Sequence, residues 1–98
     1  TMTLDDLTPA LKEKIKEIAA QHGAFNLRIF GSVARGQADQ NSNLDLLVDY
    51  DLNKISPWFP VRLIRDLENL LGIKVDVVTT EGLKDRIRKE VLQNSLIL

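Results

Sequence analysis

Three short stretches of the sequence carry residue types that suit phosphate and metal chemistry. Gly31-Ser32 follows an apolar segment, Asn43 and Asp45 open a second one, and Asp76 lies inside a third. Glycine lets the backbone approach a phosphate closely, and the N–H groups of such a turn attract anions. Carboxylate and amide oxygens are ligands that suit Mg²⁺, which substrate phosphates also hold. Together these residues predict a site for a nucleotide and its metal.

The spacing of Asn43 and Asp45 places both side chains on one face of a strand, because side chains two residues apart point the same way. Leu44 and Leu46 alternate with them and would face the opposite way. A solvated strand face explains Asp45 as well as a metal site does. Asp49 lies about 13 Å further along such a strand, and we interpret it as a surface residue.

Asp76 is an acidic residue in an otherwise apolar segment, where burial without a partner would be costly. Its carboxylate either faces solvent with Lys74 or lies beside Asp45 at a metal. We favour the second interpretation in combination with the other stretches. There the carboxylate could also accept a proton from an attacking hydroxyl.

Arg35 follows Ser32 by three residues and offers a guanidinium close to the predicted phosphate turn. It could neutralise phosphate charge, or it could pair with a carboxylate inside the fold. The sequence favours neither role over the other.

Composition narrows the classes of function. The formal net charge of the 98 residues is −1, which argues against strong nucleic-acid binding, because such binding depends on many Lys and Arg residues. The chain has no Cys, and it shows no apolar run long enough to cross a bilayer and no signal peptide. We therefore expect a cytoplasmic protein with no membrane partner. Thr1 precedes the natural start Met2 and is interpreted as a remnant of cloning.

Apolar periodicity predicts an order of helix, strand, short helix, strand, helix, strand, helix. The expected fold class is α/β (α+β): a small mixed sheet of three or four strands flanked by helices, in a single domain over residues 1–98. On the first strand, Phe25, Leu27 and Ile29 are expected to share one face. The predicted strands cover 25–30, 44–50 and 73–79, and the predicted helices cover 8–22, 33–36, 58–71 and 83–92.

Three further features receive a structural interpretation in preference to a functional one. His22 ends the first helix, where a histidine is favourable with the helix dipole, and we do not expect it to bind a ligand. Trp58-Phe59 could belong to a partner-binding loop, but such aromatics more often pin a loop to the core. The apolar tail 96–98 could bind a partner, yet core packing or a strand is the simpler interpretation.

The combined motif resembles that of a known family. Residues 31–36 read GSVARG, residues 42–46 read SNLDL, and Asp76 follows. This is similar to the minimal nucleotidyltransferases of the polymerase-beta-like superfamily, whose pattern is GSxARG, a spacer, SDxDL and a later Asp. The resemblance covers essentially the whole chain.

The resemblance implies an antitoxin that transfers AMP from ATP to a tyrosine of a HEPN-domain toxin. Gly31 and Ser32 would hold the triphosphate, and Arg35 would assist in binding the nucleotide. Asp45 and the residue at position 43 would bind two Mg²⁺ ions, and Asp76 would bind metal and help to activate the tyrosine hydroxyl. An oligomer could form through the toxin.

Asn43 departs from the family pattern, which has Asp at this position. An amide oxygen can still bind a hard cation, but the site loses one negative charge. Metal affinity and transfer rate should therefore fall. Asn43 is either an engineered inactivating change, which Thr1 supports slightly, or a native residue. A native Asn43 would favour an alternative function, in which a non-catalytic binding module neutralises its partner by contact alone.

Overall fold

The computed structural model describes residues 4–34, 36, 43–83 and 85–98, apart from the side chains of residues 4, 32 and 86. A 3-10 turn, Leu4–Asp6, precedes the first helix, and another, Thr80–Gly82, follows the third strand. The helices are α1 Pro9–Gln21, α2 Gly31–Ala34, α3 Val61–Leu71 and α4 Asp85–Gln93. The strands are β1 Ala24–Phe30, β2 Leu44–Tyr50, β3 Val75–Thr79 and β4 Leu96–Ile97.

The four strands form one mixed sheet in the order β3-β2-β1-β4. β1 pairs antiparallel with β2 and with β4, whereas β2 pairs parallel with β3. A parallel pair needs a crossover connection, and α3 provides it. The predicted small mixed sheet flanked by helices is confirmed.

The core lies between one face of the sheet and the helices α1 and α3. Thr8 caps α1, because its Oγ1 accepts a hydrogen bond from the Leu11 amide at 3.2 Å, and Pro9 begins the helix as predicted. Each helix inserts its apolar stripe between the side chains of the strands. The fully or almost fully buried residues of this core include Ile15, Ala19, Leu27, Ile29, Leu44, Leu46, Val48, Leu63 and Leu67.

The predicted face of β1 is wrong at its first residue. Leu27 and Ile29 are buried, but the side chain of Phe25 is 47% exposed. A β-bulge shifts the register between Phe25 and Arg28, and Asn26 has a positive φ of 52°. An extra residue in one strand reverses the faces on either side of it. The alternation of apolar and polar residues therefore predicted a regular strand, whereas the backbone is kinked here.

The predicted start of α3 is also wrong, because the helix begins at Val61 and not at Trp58. Pro60 occupies the position before the helix, and the residue that precedes a proline is disfavoured in helical conformation. Phe59 packs against the core as expected, but Trp58 does not.

The C-terminal tail forms a strand and packs on the core, as its structural interpretation predicted. Leu96–Ile97 forms the edge strand β4, the Leu98 amide donates to the Leu27 carbonyl at 3.0 Å, and the Leu98 side chain is buried.

Among the described residues, no helix combines the length and the apolar character that crossing a bilayer requires.

Tyr50 ties together the loops at the end of β2. Its hydroxyl donates to Glu81 Oε2 at 3.2 Å, and its ring lies 5.5 Å from the ring of Phe59. The negative charge of Glu81, together with this hydrogen bond, raises the pKa of Tyr50 above its usual value. The neutral phenol is therefore favoured, and the contact stabilises the fold until alkaline pH ionises the hydroxyl.

We expect Leu67→Ala to lower the free energy of unfolding by about 2–5 kcal/mol, because it removes a fully buried side chain and leaves a cavity. Leu52→Ala is the matched control, since Leu52 is 75% exposed and its truncation should change stability little. Urea denaturation followed by circular dichroism measures both. Equal losses in the two variants would contradict the position of the core.

Candidate active site

Gly31 lies directly against the carboxylate of Asp45. In the antiparallel pairing of β1 with β2, Asp45 is the partner of Phe30, so the chain passes Asp45 as it enters α2. A Cβ added at Gly31 would collide with Asp45 Oδ2 and lie 3.2 Å from Cγ. The φ of Gly31 is +77°, a conformation that side chains disfavour. Glycine is therefore required here both by the backbone and by the neighbouring acid.

Asp45 and Asp76 are direct partners on the parallel strands β2 and β3. Neighbouring strands are about 4.7–4.9 Å apart, so the two side chains emerge side by side from one face of the sheet. Asp45 is half-buried and Asp76 is exposed. The structure thus places Asp76 beside Asp45, which is the arrangement that the sequence favoured.

Asn43 completes this cluster from the residue before β2. Its Nδ2 donates to Asp76 Oδ2 at 3.4 Å, and the adjacent Leu44 amide donates to the Lys74 carbonyl at 3.0 Å. The amide supplies a partial positive charge to a carboxylate that already has Asp45 as a neighbour. Asn43 therefore relieves part of the like-charge repulsion in the cluster.

The remaining sequence-predicted residues fall elsewhere. The side chain of Ser32 and all of Arg35 lie outside the described residues, so their predicted roles stay predictions. Asp49 is half-buried and its Oδ2 accepts a hydrogen bond from Asn26 Nδ2 at 3.0 Å, which is more than the bare surface role expected of it. His22 Nε2 lies 2.7 Å from Asp66 Oδ2 and links α1 to α3, in agreement with a structural role.

The cluster offers oxygen ligands of the kind that Mg²⁺ prefers. Asp45 and Asp76 supply carboxylates, and rotation of the Asn43 amide would present its carbonyl oxygen. Within the described part of the chain, no group of three His, Cys, Asp or Glu residues could hold a metal. With Asn43 in place of a carboxylate, the cluster carries one negative charge fewer than three acids would supply.

The sequence motif predicts only phosphate binding for Gly31 and does not reveal its close approach to Asp45. The signal that could have revealed it is the antiparallel register. A turn that begins after Phe30 must pass the residue opposite Phe30, and that residue is Asp45.

We expect Gly31→Ala to destabilise the chain and to weaken Mg²⁺ binding, because the new methyl group forces the Asp45 carboxylate away from Asp76. Gly72→Ala is the matched control: its φ is +70°, but a Cβ there would meet nothing within 4 Å. The control should lose only the backbone preference, about 1 kcal/mol. Thermal denaturation and calorimetric titration with Mg²⁺ measure the two effects. If both variants bind Mg²⁺ as the parent does, the contact has no bearing on the site.

We expect Asn43→Asp to lower the stability of the metal-free chain by about 1–3 kcal/mol, since it replaces a donor to Asp76 with a third carboxylate. Mg²⁺ should reverse this loss, because a ligand that binds the folded state stabilises it. Asn69→Asp is the matched control, because it makes the same chemical change on the exposed face of α3, outside the cluster. Melting curves with and without Mg²⁺ provide the measurement. A gain in metal-free stability at position 43 would contradict the role given to the amide.

Comparison with known proteins agrees with this geometry. The polymerase beta nucleotidyltransferase family matches residues 13–98. The protein adenylyltransferase MntA of Thermococcus cleftensis is 36% identical over 92 residues, covering 94% of this chain and 92% of the relative. A protein of Methanocaldococcus jannaschii provisionally named protein adenylyltransferase MJ0435 is 41% identical over 86 residues, covering 84% of this chain and 91% of the relative.

Solved structures share the fold. A structure provisionally named a minimal nucleotidyltransferase superposes with a TM-score of 0.85 at 42% identity, covering 99% of this chain and 97% of the other. A toxin–antitoxin structure with AMP-PNP superposes with a TM-score of 0.73 at 19% identity, covering 88% of this chain and 70% of the other. On the family match and the identity to its relatives, this chain belongs to the polymerase beta nucleotidyltransferase family, among relatives named protein adenylyltransferases.

Proposed function

We propose that the chain, as a single domain over residues 1–98, is a cytoplasmic antitoxin that transfers AMP from ATP to a tyrosine of a HEPN-domain toxin. We further propose that transfer by this chain is weak, because Asn43 stands where a metal-binding Asp is expected. The observation that carries the proposal is the adjacency of Asp45 and Asp76 on parallel strands, with Gly31 against Asp45. The names of the relatives support adenylyl transfer to a protein.

Catalysis would join the tyrosine oxygen to the α-phosphorus of ATP. The bond between that phosphorus and the bridging oxygen of the β-phosphate breaks, and pyrophosphate leaves with the bonding electrons. Asp76, which is exposed, would accept the phenol proton. Mg²⁺ held by Asp45 and Asp76 would supply positive charge to the phosphates. Gly31, Ser32 and Arg35 would hold the triphosphate.

The Asn43 amide limits this chemistry in two ways. It contributes no charge to the metal, and it donates a hydrogen bond to Asp76 Oδ2, an oxygen that proton transfer and metal binding both need. The same observation favours the second candidate function, in which the chain is a binding module that neutralises its partner by contact alone. The toxin–antitoxin structure of the same fold is compatible with either candidate.

The deciding experiment incubates the chain and its Asn43→Asp variant with ATP, Mg²⁺ and a HEPN-domain protein from a neighbouring gene. We expect the variant to add AMP to a tyrosine of that protein at least about tenfold faster than the parent, as the restored carboxylate contributes charge to the transition state. Intact-mass spectrometry of the acceptor and pyrophosphate release provide the readouts. ATP without Mg²⁺ should give no product in either case.

The matched control is Asp45→Asn in the Asn43→Asp background, which keeps the number of carboxylates of the parent but removes the one that touches Gly31. It should abolish transfer. If neither the parent nor Asn43→Asp modifies the acceptor, transfer to a HEPN protein is refuted. Protection of cells by the parent without any transfer would then favour neutralisation by contact.

A further inference from the structure

Trp58 is the one tryptophan of the sequence, and its side chain is 63% exposed. The neighbouring Phe59 behaves differently: it is half-buried, packs against the core and contacts the ring of Tyr50. Phe59 therefore anchors the loop before α3 to the core, and this anchoring does not explain why Trp58 is exposed. A large aromatic surface left in water gains free energy when a partner covers it.

The backbone around Trp58 is held by hydrogen bonds. The Trp58 amide donates to Ser56 Oγ at 3.2 Å, and the Phe59 amide donates to the Ser56 carbonyl at 3.1 Å. The Trp58 carbonyl accepts from the Arg62 amide at 3.3 Å. An aromatic group presented on an ordered turn loses little entropy on binding, so Trp58 is preorganised as an anchor.

Trp58 lies just before the first turn of α3 and outside the helix. The hydrogen bond from the Arg62 amide to the Trp58 carbonyl holds Trp58 against the start of the helix, and Arg62 and Arg65, three residues apart, share one face of α3. Arg62 and Arg65 are exposed, and the opposite face carries the buried Leu63 and Leu67. We call Trp58, Arg62 and Arg65 the aromatic–arginine stripe.

The arginines of the stripe form no ion pair with the described acids of their own helix. The two acids of α3 are engaged elsewhere: Asp66 pairs with His22 at 2.7 Å, and Glu68 Oε2 accepts from the Val75 amide at 3.0 Å. Within the described residues, the side chains of Arg62 and Arg65 form no ion pair or hydrogen bond. An acidic surface would complement them.

The Trp58 end of the stripe lies away from the candidate active site. Asp45 is near the start of β2 and Tyr50 is at its end, so about 17 Å of strand separates the carboxylates from the ring that contacts Phe59. A partner side chain that covers Trp58 would therefore leave Asp45 and Asp76 open.

We propose that the aromatic–arginine stripe is the docking surface for an acidic segment of the acceptor protein, with Trp58 as its apolar anchor. Tryptophan and arginine are the residues that most often dominate interface energetics. A nucleic acid is the less favoured occupant, because the chain has a net charge of −1 and the stripe only two arginines. This inference rests on the proposed function only for the identity of the docked protein as the acceptor.

The first test measures binding with neither ATP nor Mg²⁺ present. The chain is labelled with fluorotryptophan, so that its fluorine resonance reports Trp58 alone, and the unlabelled HEPN-domain protein is added. We expect the resonance to shift, and Trp58→Ala to raise the Kd about 30-fold or more in a separate titration. Arg62→Glu combined with Arg65→Glu should weaken binding and remove most of its dependence on salt.

The matched control is Ile97→Ala, which truncates a side chain that is 74% exposed on the edge strand β4. It should bind as the parent does. Loss of binding by Ile97→Ala and not by Trp58→Ala would move docking to the sheet edge and overturn the proposal. Absence of any binding by the HEPN protein would overturn it too, as would a Trp58-dependent shift caused by single-stranded RNA alone. Circular dichroism verifies that each variant is folded, and the double arginine variant tests the stripe without touching Trp58.

Kinetics separate docking from chemistry. In the Asn43→Asp background, Trp58→Ala should raise the KM for the acceptor protein and leave kcat unchanged, because the stripe binds ground state and transition state alike. Transfer that does not depend on Trp58 would refute the docking surface while the proposed function stands. Trp58-dependent binding without transfer would refute the proposed function while the docking surface stands.

Discussion

The pairing of β2 with β3 places two carboxylates side by side, and the rest of the structure accommodates that repulsive contact. Asp45 and Asp76 are direct neighbours in the sheet, and like charges at this separation disfavour each other. Gly31 leaves the space that the Asp45 side chain occupies, and the Asn43 amide donates to Asp76. The crossover helix α3 and its buried leucines secure the parallel pairing that brings the two acids together. Stability of the fold and assembly of the site are therefore linked through one strand pair.

Asn43 changes the balance between stability and chemistry at this cluster. A third carboxylate would increase repulsion in the metal-free chain and would attract metal more strongly, whereas the amide does the reverse. Functional sites commonly sacrifice stability in this way. We expect an asparagine here to relax the site and to lower its capacity to bind cations, whether it arose by engineering or natural change.

The sequence predicted the parts of the structure that depend on local chemistry. The Thr8-Pro9 helix start follows from capping, and the apolar alternation of β2 follows from the strand period. The meeting of Asp45 with Asp76 was also predicted, although Asp76 is exposed and the argument from burial does not apply to it. The prediction from sequence failed where a single residue changed the backbone path. The bulge at Asn26 reversed Phe25, and Pro60 delayed α3 so that Trp58 stayed outside it. The period of apolar residues along the sequence reveals neither the bulge nor the later start of the helix. The contact between Gly31 and Asp45 requires the strand register, which pairing across the sheet determines.

Counting bound metal ions tests the link between Asn43 and a weakened site most directly. Mn²⁺ is titrated into the chain with ATP present, and electron paramagnetic resonance measures free and bound ions, with Asn43→Asp under identical conditions. We expect one tightly bound ion per chain with Asn43 and two with Asp at this position. Two tightly bound ions with Asn43 in place would contradict the conclusion that the missing carboxylate limits the site.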